Sequence, residues 1–528
     1  MTDTMTIFLH NYLGGVRQHA TEPVHTLRDP VTGEALAATG GRAEGLEQGF
    51  AFARDSGRAA LQAMSYGQRA AMLGEVLKVL QANRDDYYAI AQANSGTTQA
   101  DSAVDIEGAA FTLNYYAKLG ASLGEARLLL DGPAAALARD GSFQSQHILA
   151  PVRGLALFIN AFNFPAWGLW EKAAPALLSV VPVVIKPATV TAWLTQRMVA
   201  DVIEAGVLPP GALSIVCGSS EGLLDALEPF DVLSFTGSAE TAAKIRSHAG
   251  VVRHSIRLNI EADSLNSSIL AESAQPGSPA FELYVKELVR EMTTKSGQRC
   301  TAIRRALVPA RLFDAVAEAV GARLAQVSVG NPRNAEVRMG SLVSREQYVS
   351  VRGGIATLAG EARVLHDGRR QALVDADPAV AACVAPTLLG LPDGDAARLV
   401  HEHEVFGPVS TLLGYRDAAH ALALAHRGQG SLVTSVFGED ESWLAAATPL
   451  LAASHGRVHL VTPEVGKTQT GHGNVMPASI HGGPGRAGGG EELGGLRGLA
   501  FYHRRSAVQG SPSALALMTR EAVQLRLD

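Results

Sequence analysis

The sequence predicts an α/β protein: a parallel sheet covered by helices on both faces, a second α/β unit behind it, and a small β appendage. Three observations carry this reading. From Pro151 onward, short apolar runs alternate with helical segments: Leu155-Ala156-Leu157-Phe158-Ile159, Val181-Pro182-Val183-Val184-Ile185, Leu213-Ser214-Ile215-Val216 and Val232-Leu233-Ser234-Phe235. Strand, helix, strand order with nearly continuous apolar strands marks a parallel sheet buried on both faces. The chain has 528 residues, beyond the size at which one core keeps growing, so two or three units are expected. The alternating segment Ser142 to Leu149 stands outside the helix-strand rhythm. With the C-terminal tail it can form an appended hairpin for subunit contact.

Ahead of the sheet, from about residue 45 to 131, the apolar spacing is helical: Met72, Leu73, Val76, Leu77, Val79 and Leu80, then Tyr87, Ile90 and Ala91. The second α/β region opens near residue 271, after Asn266-Ser267-Ser268-Ile269-Leu270. Its first helix carries Phe281, Val285, Leu288 and Met292 on one face and ends before the Ser296-Gly297 turn. Cys300 therefore falls on a loop leaving a helix, just before the strand-like Ala306-Leu307-Val308. The Gly-rich stretch from His481 to Gly495 reads as a loop.

A hydrophobic content of 47%, with 18% charged residues and a net charge of −6, describes an ordinary globular protein. Basic residues are scattered among acids, which argues against a nucleic-acid partner. The most apolar stretches, Gly154 to Trp170 and Ala173 to Ile185, are broken by Asn160, Asn163, Pro165, Pro175 and Pro182, so no membrane span is expected. Three widely spaced cysteines exclude a disulfide framework and a Cys-x-x-Cys knuckle, and no metal site is expected. With no basic and apolar leader at the N-terminus, the expected location is the cytoplasm.

Cys217 and Cys383 sit among apolar residues and read as inert, whereas Cys300 lies in Thr294-Lys295-Ser296-Gly297-Gln298-Arg299-Cys300-Thr301-Ala302. A working thiol needs access and a polar or positive neighbourhood that favours the thiolate. Five further signals join it. Asn160-Ala161-Phe162-Asn163-Phe164-Pro165 follows a strand, where an amide can donate to a developing oxyanion or simply form a turn. Val184-Ile185-Lys186-Pro187-Ala188-Thr189 puts a cation at a strand end, facing either a nucleotide or solvent. In Ser234-Phe235-Thr236-Gly237-Ser238-Ala239-Glu240 a strand turns into a helix with Ser238 as N-cap, and its amides either face a pyrophosphate or only cap the helix. Ile256-Arg257-Leu258-Asn259-Ile260-Glu261 ends a strand on a carboxylate, a general base if a dry site raises its pKa toward neutrality and otherwise a surface acid. A last carboxylate, Glu404, precedes Val405-Phe406-Gly407-Pro408, where it can hold both hydroxyls of a ribose.

In this order and spacing the residues resemble the aldehyde dehydrogenase superfamily over the whole chain. The resemblance implies Cys300 as nucleophile, Asn163 as oxyanion donor, Glu261 as general base and Lys172 as a lysine near the active-site amide. It also implies a dinucleotide site at Lys186, Thr189, Phe235, Thr236, Gly237, Ser238, Glu404 and Phe406. The implied domains are a Rossmann-like dinucleotide-binding domain over 1–133 and 153–270, a Cys-bearing catalytic domain over 271–480, and a β oligomerisation element with the tail over 134–152 and 481–528. A homodimer follows if the hairpin near 140–150 exchanges between subunits.

Two departures from the usual pattern narrow the expectation. NAD-preferring members carry a Glu three residues after the lysine that Lys186 resembles; Thr189 stands there and cannot repel a 2′-phosphate, so NADP is expected ahead of NAD. Ala262-Asp263-Ser264-Leu265-Asn266 after the base, and His481-Gly482-Gly483-Pro484-Gly485-Arg486 near the end, resemble the branch that oxidises CoA-thioester semialdehydes from aerobic benzoate breakdown. Gly483-Pro484-Gly485-Arg486-Ala487-Gly488 fits G-x-G-x-x-G, but it follows no predicted strand and holds a proline at the turn, so a structural or substrate-side loop is expected. The rival readings are a CoA-acylating dehydrogenase, a general aliphatic aldehyde dehydrogenase, a catalytically silent member and a simple alcohol dehydrogenase. The carboxylate at Glu261 argues for hydrolysis over acyl transfer to CoA.

Overall fold

The computed structural model describes residues 7–19 and 22–525. Its first sheet runs Arg257–Glu261, Val232–Thr236, Ala156–Ile159, Val183–Lys186 and Leu213–Ile215 in parallel, then Asn11–Leu13 and Val16–Gln18 antiparallel at the edge. The parallel strands are the apolar runs read from the sequence, and almost every residue in them is buried. From Ala156–Ile159 the chain winds first to one side and then returns to the other, so strand order reverses beside that strand. In open α/β sheets this reversal opens a crevice at the carboxyl ends. The register brings those ends level: Ile159 lies beside Lys186 and Phe235, and Thr236 beside Glu261.

Helix Trp167–Leu178, buried almost throughout, packs on this sheet, and helices Tyr66–Ala82 and Gln99–Ser122 pack on each other and on it. Ser65 and Gln68 form a reciprocal capping box on Tyr66–Ala82, and Thr98 caps Gln99–Ser122, satisfying amides that the first helical turn leaves unpaired.

The chain passes from Glu261 to the second sheet through residues 262–266. That sheet runs Arg363–Asp367, Thr387–Leu391, Val409–Tyr415, Arg305–Pro309, Ser267–Leu270, Ser431–Phe437 and His455–Val461, parallel except for its first strand. Ser267–Leu270 is thus an interior strand of the second unit rather than the end of the first, so the structural crossing precedes the expected one at 270/271. Helix Pro279–Thr293 buries Phe281, Val285, Leu288 and Met292, as the spacing predicts.

A third sheet joins Gln144–Pro151 antiparallel to His503–Gly510, with Leu128–Leu130 and Ala522–Gln524 beside them. The pairing of residues 144–151 with the tail follows the alternation. Leu128–Leu130 corrects the helical reading to 131: helix Gln99–Ser122 ends earlier, and the three leucines pair with residues 148 and 149 and with the tail. Among the described residues no helix is long and apolar enough to cross a membrane.

The segment 481–495 is also corrected. Ile480–Gly482 and Glu491–Leu493 pair as a two-stranded ribbon joined by a glycine loop, and this loop lies along strand Arg257–Glu261. Gly490 N donates to Ile260 O at 3.0 Å, Ala262 N to Ala487 O at 2.9 Å, and Glu491 N to Asn259 Oδ1 at 2.8 Å. The glycines permit this approach: a Cβ on Gly490 would stand 2.5 Å from Ile260 O and 2.7 Å from Asn259 Oδ1, whereas one on Gly489 meets nothing within 4 Å. Gly490→Ala is therefore expected to destabilise the protein by about 1–3 kcal/mol through overpacking and to lower activity. Gly489→Ala should cost only its positive-φ strain, about 1–2 kcal/mol. Denaturant unfolding and turnover of the two variants check this, and equal activity in both would refute the close approach.

Candidate active site

After helix Pro279–Thr293 the backbone enters a left-handed turn: φ is 51° at Lys295, 55° at Ser296 and 66° at Gly297. Only the glycine adopts this without strain, and each other residue costs roughly 1–2 kcal/mol. Gly297 is required for space as well, since a Cβ there would lie 2.2 Å from Gly407 O. Side chains hold the turn in place. Ser296 Oγ donates to Gly340 O (3.0 Å), Arg304 Nη2 to Gly297 O (3.0 Å) and Arg299 O (3.1 Å), and Asn266 Nδ2 to Cys300 O (2.7 Å) and Ala302 O (3.0 Å). Cys300 emerges partly exposed, while Cys217 and Cys383 are buried, as their settings predict.

Beside Cys300 stand the last residue of the first sheet and the first strand of the ribbon. The Cys300 sulfur, a Glu261 carboxylate oxygen and a His481 ring nitrogen all lie within 4.8 Å of one another. Glu261 Oε2 is 3.1 Å from His481 Nε2, too poorly aligned for a hydrogen bond but close enough for strong charge attraction. The His481 ring packs against Trp167, centroids 5.5 Å apart.

This setting corrects two expectations. Burial alone would raise the Glu261 pKa, but His481 and Lys172 outweigh it and hold the carboxyl below its usual range. The base is thus ionised, not poised near neutrality. The thiol meets the opposite field: burial first, then the Glu261 carboxylate, push Cys300 well above the ordinary cysteine value. The neighbouring cation Arg299 pulls it down only weakly, and Arg299 is itself tied to Glu291 at 2.9 Å.

Lys172 lies behind this pair, its ammonium in contact with Glu171 and 3.1 Å from Glu492 Oε2. Glu492 Oε1 accepts from Ser234 Oγ at 2.7 Å and Asn259 Nδ2 at 3.0 Å. Burial works against the charged lysine, but the carboxylates overcome it and raise its pKa; Glu171, raised by burial despite Lys172, reaches about 8. The Lys172 ammonium is engaged by carboxylates rather than by the Asn163 amide.

Asn163 sits on the turn after Ala156–Ile159, 7% exposed, and among the described residues no hydrogen bond engages its side chain. The turn is pinned by Thr191 Oγ1 to Phe162 O (3.0 Å) and Thr195 Oγ1 to Pro165 O (2.7 Å), and Asp105 accepts from Trp167 N (2.7 Å). The next residue, Phe164, joins Phe111, Trp167, Met476, Cys300 and His481 around a cavity of about 310 Å³. Its lining is mostly apolar, suited to a hydrocarbon chain ending at the thiol.

On the opposite side the level strand ends form the second half of the site. Lys186 is buried, its ammonium 2.5 Å from Pro187 O and 3.4 Å from Thr189 Oγ1, and burial lowers its pKa to about 8. Ser238 caps helix Ala239–Ser247 by accepting from Thr241 N, and Asp263 accepts from Ala239 N at 3.0 Å. Phe235 is buried, while Thr236 and Gly237 are half-buried at the strand end. Glu404 takes Ser264 N at 3.1 Å on one oxygen, while Oε1, 3.5 Å from Arg304 Nε, has no hydrogen bond; burial lifts this carboxyl to about 7. Phe406 is set by Gln347 Nε2, which donates to its carbonyl at 2.9 Å, and by edge contact with Phe162. A buried carboxylate oxygen and a buried Thr236 hydroxyl without partners fit a sugar that brings its own hydroxyls.

His481, Glu492, Asn266 and Arg304 belong to this site and were not singled out as functional from the sequence. For the first two the available signal was a histidine and a paired Glu491-Glu492 framing an otherwise polar-poor glycine segment.

The sequence profile of the aldehyde dehydrogenase family matches residues 17–508. The chain is 54% identical over 477 residues to 3,4-dehydroadipyl-CoA semialdehyde dehydrogenase of Aromatoleum evansii, covering 90% of this chain and 93% of that one. It is 45% identical over 190 residues to protein MaoC of Klebsiella aerogenes, covering 35% of this chain and 54% of that protein. Among solved structures, an NADP-dependent enzyme from E. coli superposes with a TM-score of 0.81 at 22% identity, over 97% of this chain and 100% of that one. Betaine aldehyde dehydrogenase of Staphylococcus aureus in complex with NAD+ superposes with a TM-score of 0.81 at 21% identity, over 95% of this chain and 97% of that one.

The opposed fields on Cys300 and Glu261 have a measurable consequence. Iodoacetamide is expected to modify Cys300 slowly at neutral pH, and Glu261→Gln to accelerate it by about tenfold for each pKa unit the thiol falls. Peptide mapping assigns the rate to Cys300. An unchanged or slower rate in Glu261→Gln would show that the carboxylate does not hold the thiol protonated.

Proposed function

The chain belongs to the aldehyde dehydrogenase family, and from that premise we propose that it oxidises a CoA-thioester semialdehyde to the carboxylic acid, with NADP and water. The observation that carries this reading is the ionised Glu261 carboxylate within 4.8 Å of the Cys300 thiol. A carboxylate so placed serves both as acceptor for the thiol proton and as base for water.

Cys300 sulfur attacks the aldehyde carbon, forming a C–S bond as its proton passes to Glu261. The Asn163 amide and the Cys300 backbone N–H donate to the oxygen that gains charge. A nicotinamide bound along Lys186, Thr236, Glu404 and Phe406 supplies the acceptor for the hydride that leaves this carbon. Cys300 then carries a thioester. Glu261 first releases the thiol proton to solvent and then takes a proton from a water that adds to the thioester carbon; the C–S bond breaks, the acid leaves, and Glu261 returns this proton to the Cys300 sulfur. Lys172, between Glu171 and Glu492, keeps the region behind the base charged and fixed.

Three observations support the finer choices. The relative from Aromatoleum evansii, 54% identical over 90% of this chain, is named for a CoA semialdehyde, and the apolar cavity suits the carbon chain of such a substrate. Thr189, 3.4 Å from the Lys186 ammonium, offers a 2′-phosphate a neutral hydroxyl beside a cation. The largely exposed edge strand His503–Gly510 suits pairing with a second copy in a homodimer.

The purified protein is expected to reduce NADP with a CoA-linked semialdehyde and no free CoA. Cys300→Ala should abolish all turnover. Asn163→Ala should lose about 10²–10³-fold in kcat. Glu261→Gln should lose about 10²–10⁴-fold in steady-state turnover. A strict need for free CoA would make the enzyme acylating and overturn the role of Glu261. Thr189→Glu should shift preference from NADP toward NAD by at least about tenfold, roughly 1.4 kcal/mol. Unchanged kcat/KM ratios for the two cofactors would remove Thr189 from the 2′-phosphate site.

A further inference from the structure

The trio at the nucleophile has a property that the oxidation does not use. A thiol, an imidazole nitrogen and a carboxylate oxygen within 4.8 Å of one another form a borderline-to-soft donor set that suits Zn²⁺ better than Mg²⁺ or Ca²⁺. With Zn–S near 2.3 Å and Zn–N and Zn–O about 2.0–2.2 Å, neighbouring donors of a tetrahedral site stand roughly 3.3–3.6 Å apart. The Glu261 and His481 atoms are already 3.1 Å apart. The thiol has to move by up to about 1.5 Å, a shift that rotation about its Cα–Cβ bond supplies.

Two of the three donors are also short of partners. Glu261 Oε1 and His481 Nε2 make no hydrogen bond, and their residues are only 5% and 3% exposed. Cys300 and His481 both line the cavity of about 310 Å³, which leaves room for a water in the fourth position. Glu171 and Glu492 stand behind the trio with Lys172 between them.

We propose that Cys300, Glu261 and His481 bind one Zn²⁺ per chain, with a cavity water as fourth ligand, and that the bound metal switches the enzyme off reversibly. Coordination replaces the thiol proton and the ring proton that His481 carries beside Glu261, and both leave to solvent. The metal occupies nucleophile and base together, so attack on an aldehyde and activation of water both stop. The site does not depend on which aldehyde or cofactor the enzyme takes.

The test titrates metal-free full-length protein with Co²⁺ as an optical stand-in, then displaces it with Zn²⁺. The expected result is one Co²⁺ per chain, a near-ultraviolet thiolate-to-cobalt charge-transfer band and intense visible bands of a tetrahedral site, all removed by Zn²⁺. Zn²⁺ should also block carboxymethylation of Cys300 and turnover, and a chelator should restore both. Cys300→Ser should lose the charge-transfer band, and His481→Gln should weaken Zn²⁺ binding by at least about 10–100-fold. A cobalt spectrum without the charge-transfer band, or Zn²⁺ affinity unchanged in both variants, overturns the proposal. If His481→Gln fails to fold, the spectra of the unaltered protein and of Cys300→Ser decide it.

Discussion

A carboxylate enclosed by protein keeps its charge only if cations stand beside it, and Glu261 has two. His481 lies 3.1 Å away, and Lys172 adds its field from behind. Removing either would weaken the opposition to burial and raise the carboxyl pKa. The cations need compensation in turn. Lys172 is held by Glu171 and Glu492, and Glu492 by Ser234 and Asn259. Breaking one partner of such a buried pair is strongly destabilising because it strands the other charge. The charged cluster behind the nucleophile is therefore a single unit, reaching from the helix after the Asn163 turn, across two strands of the first sheet, to the ribbon near the C-terminus.

Backbone construction explains how residues so far apart in sequence meet. Parallel register makes the strand ends of the first sheet level, so Lys186, Thr236 and Glu261 share one rim. Residues 262–266 cross at once to an interior strand of the second sheet, and Asn266 at the end of that crossing grips the carbonyls of Cys300 and Ala302. Base and nucleophile are thereby tied through one short connection. The glycine loop completes the arrangement by lying on Ile260, one residue before the base, and it brings His481 and Glu492 to either side. Strain in the Lys295–Gly297 turn is offset by Ser296, Arg304 and Asn266, each with a defined partner.

Most of this framework was legible in the sequence because period and burial coincide there. The strand runs beginning at Leu155, Val181, Leu213 and Val232 lie in a sheet covered on both faces, and continuous apolar residues record that directly. Cys300 stood out because small and polar neighbours replace the apolar setting of Cys217 and Cys383. The ribbon at 480–493 was not legible. Its strands are three residues each, its loop is glycine, and its role comes from packing on a strand more than two hundred residues earlier. Leu128–Leu130 was misread for a similar reason: three leucines after a long helix continue its composition, and only pairing with the tail reveals a strand. The pKa of Glu261 was misjudged because the cations that lower it come from the ribbon and from a helix, neither adjacent in sequence.

The fields at the nucleophile conflict in a way that suits the chemistry. Glu261 raises the thiol pKa and so suppresses the free thiolate, which at first sight hinders attack. The same carboxylate is the nearest acceptor for the proton that must leave when sulfur bonds to carbon, so deprotonation and attack can occur together. An enclosed thiolate without a substrate would invite oxidation and alkylation, and a thiol held protonated until an aldehyde arrives avoids both. Once the thioester has formed, the sulfur no longer titrates, and Glu261 is left facing an acyl carbon and any water beside it. Once Glu261 has passed the thiol proton on to solvent, one carboxylate can thus serve both halves of the reaction, because the first half removes the group that would compete with water in the second.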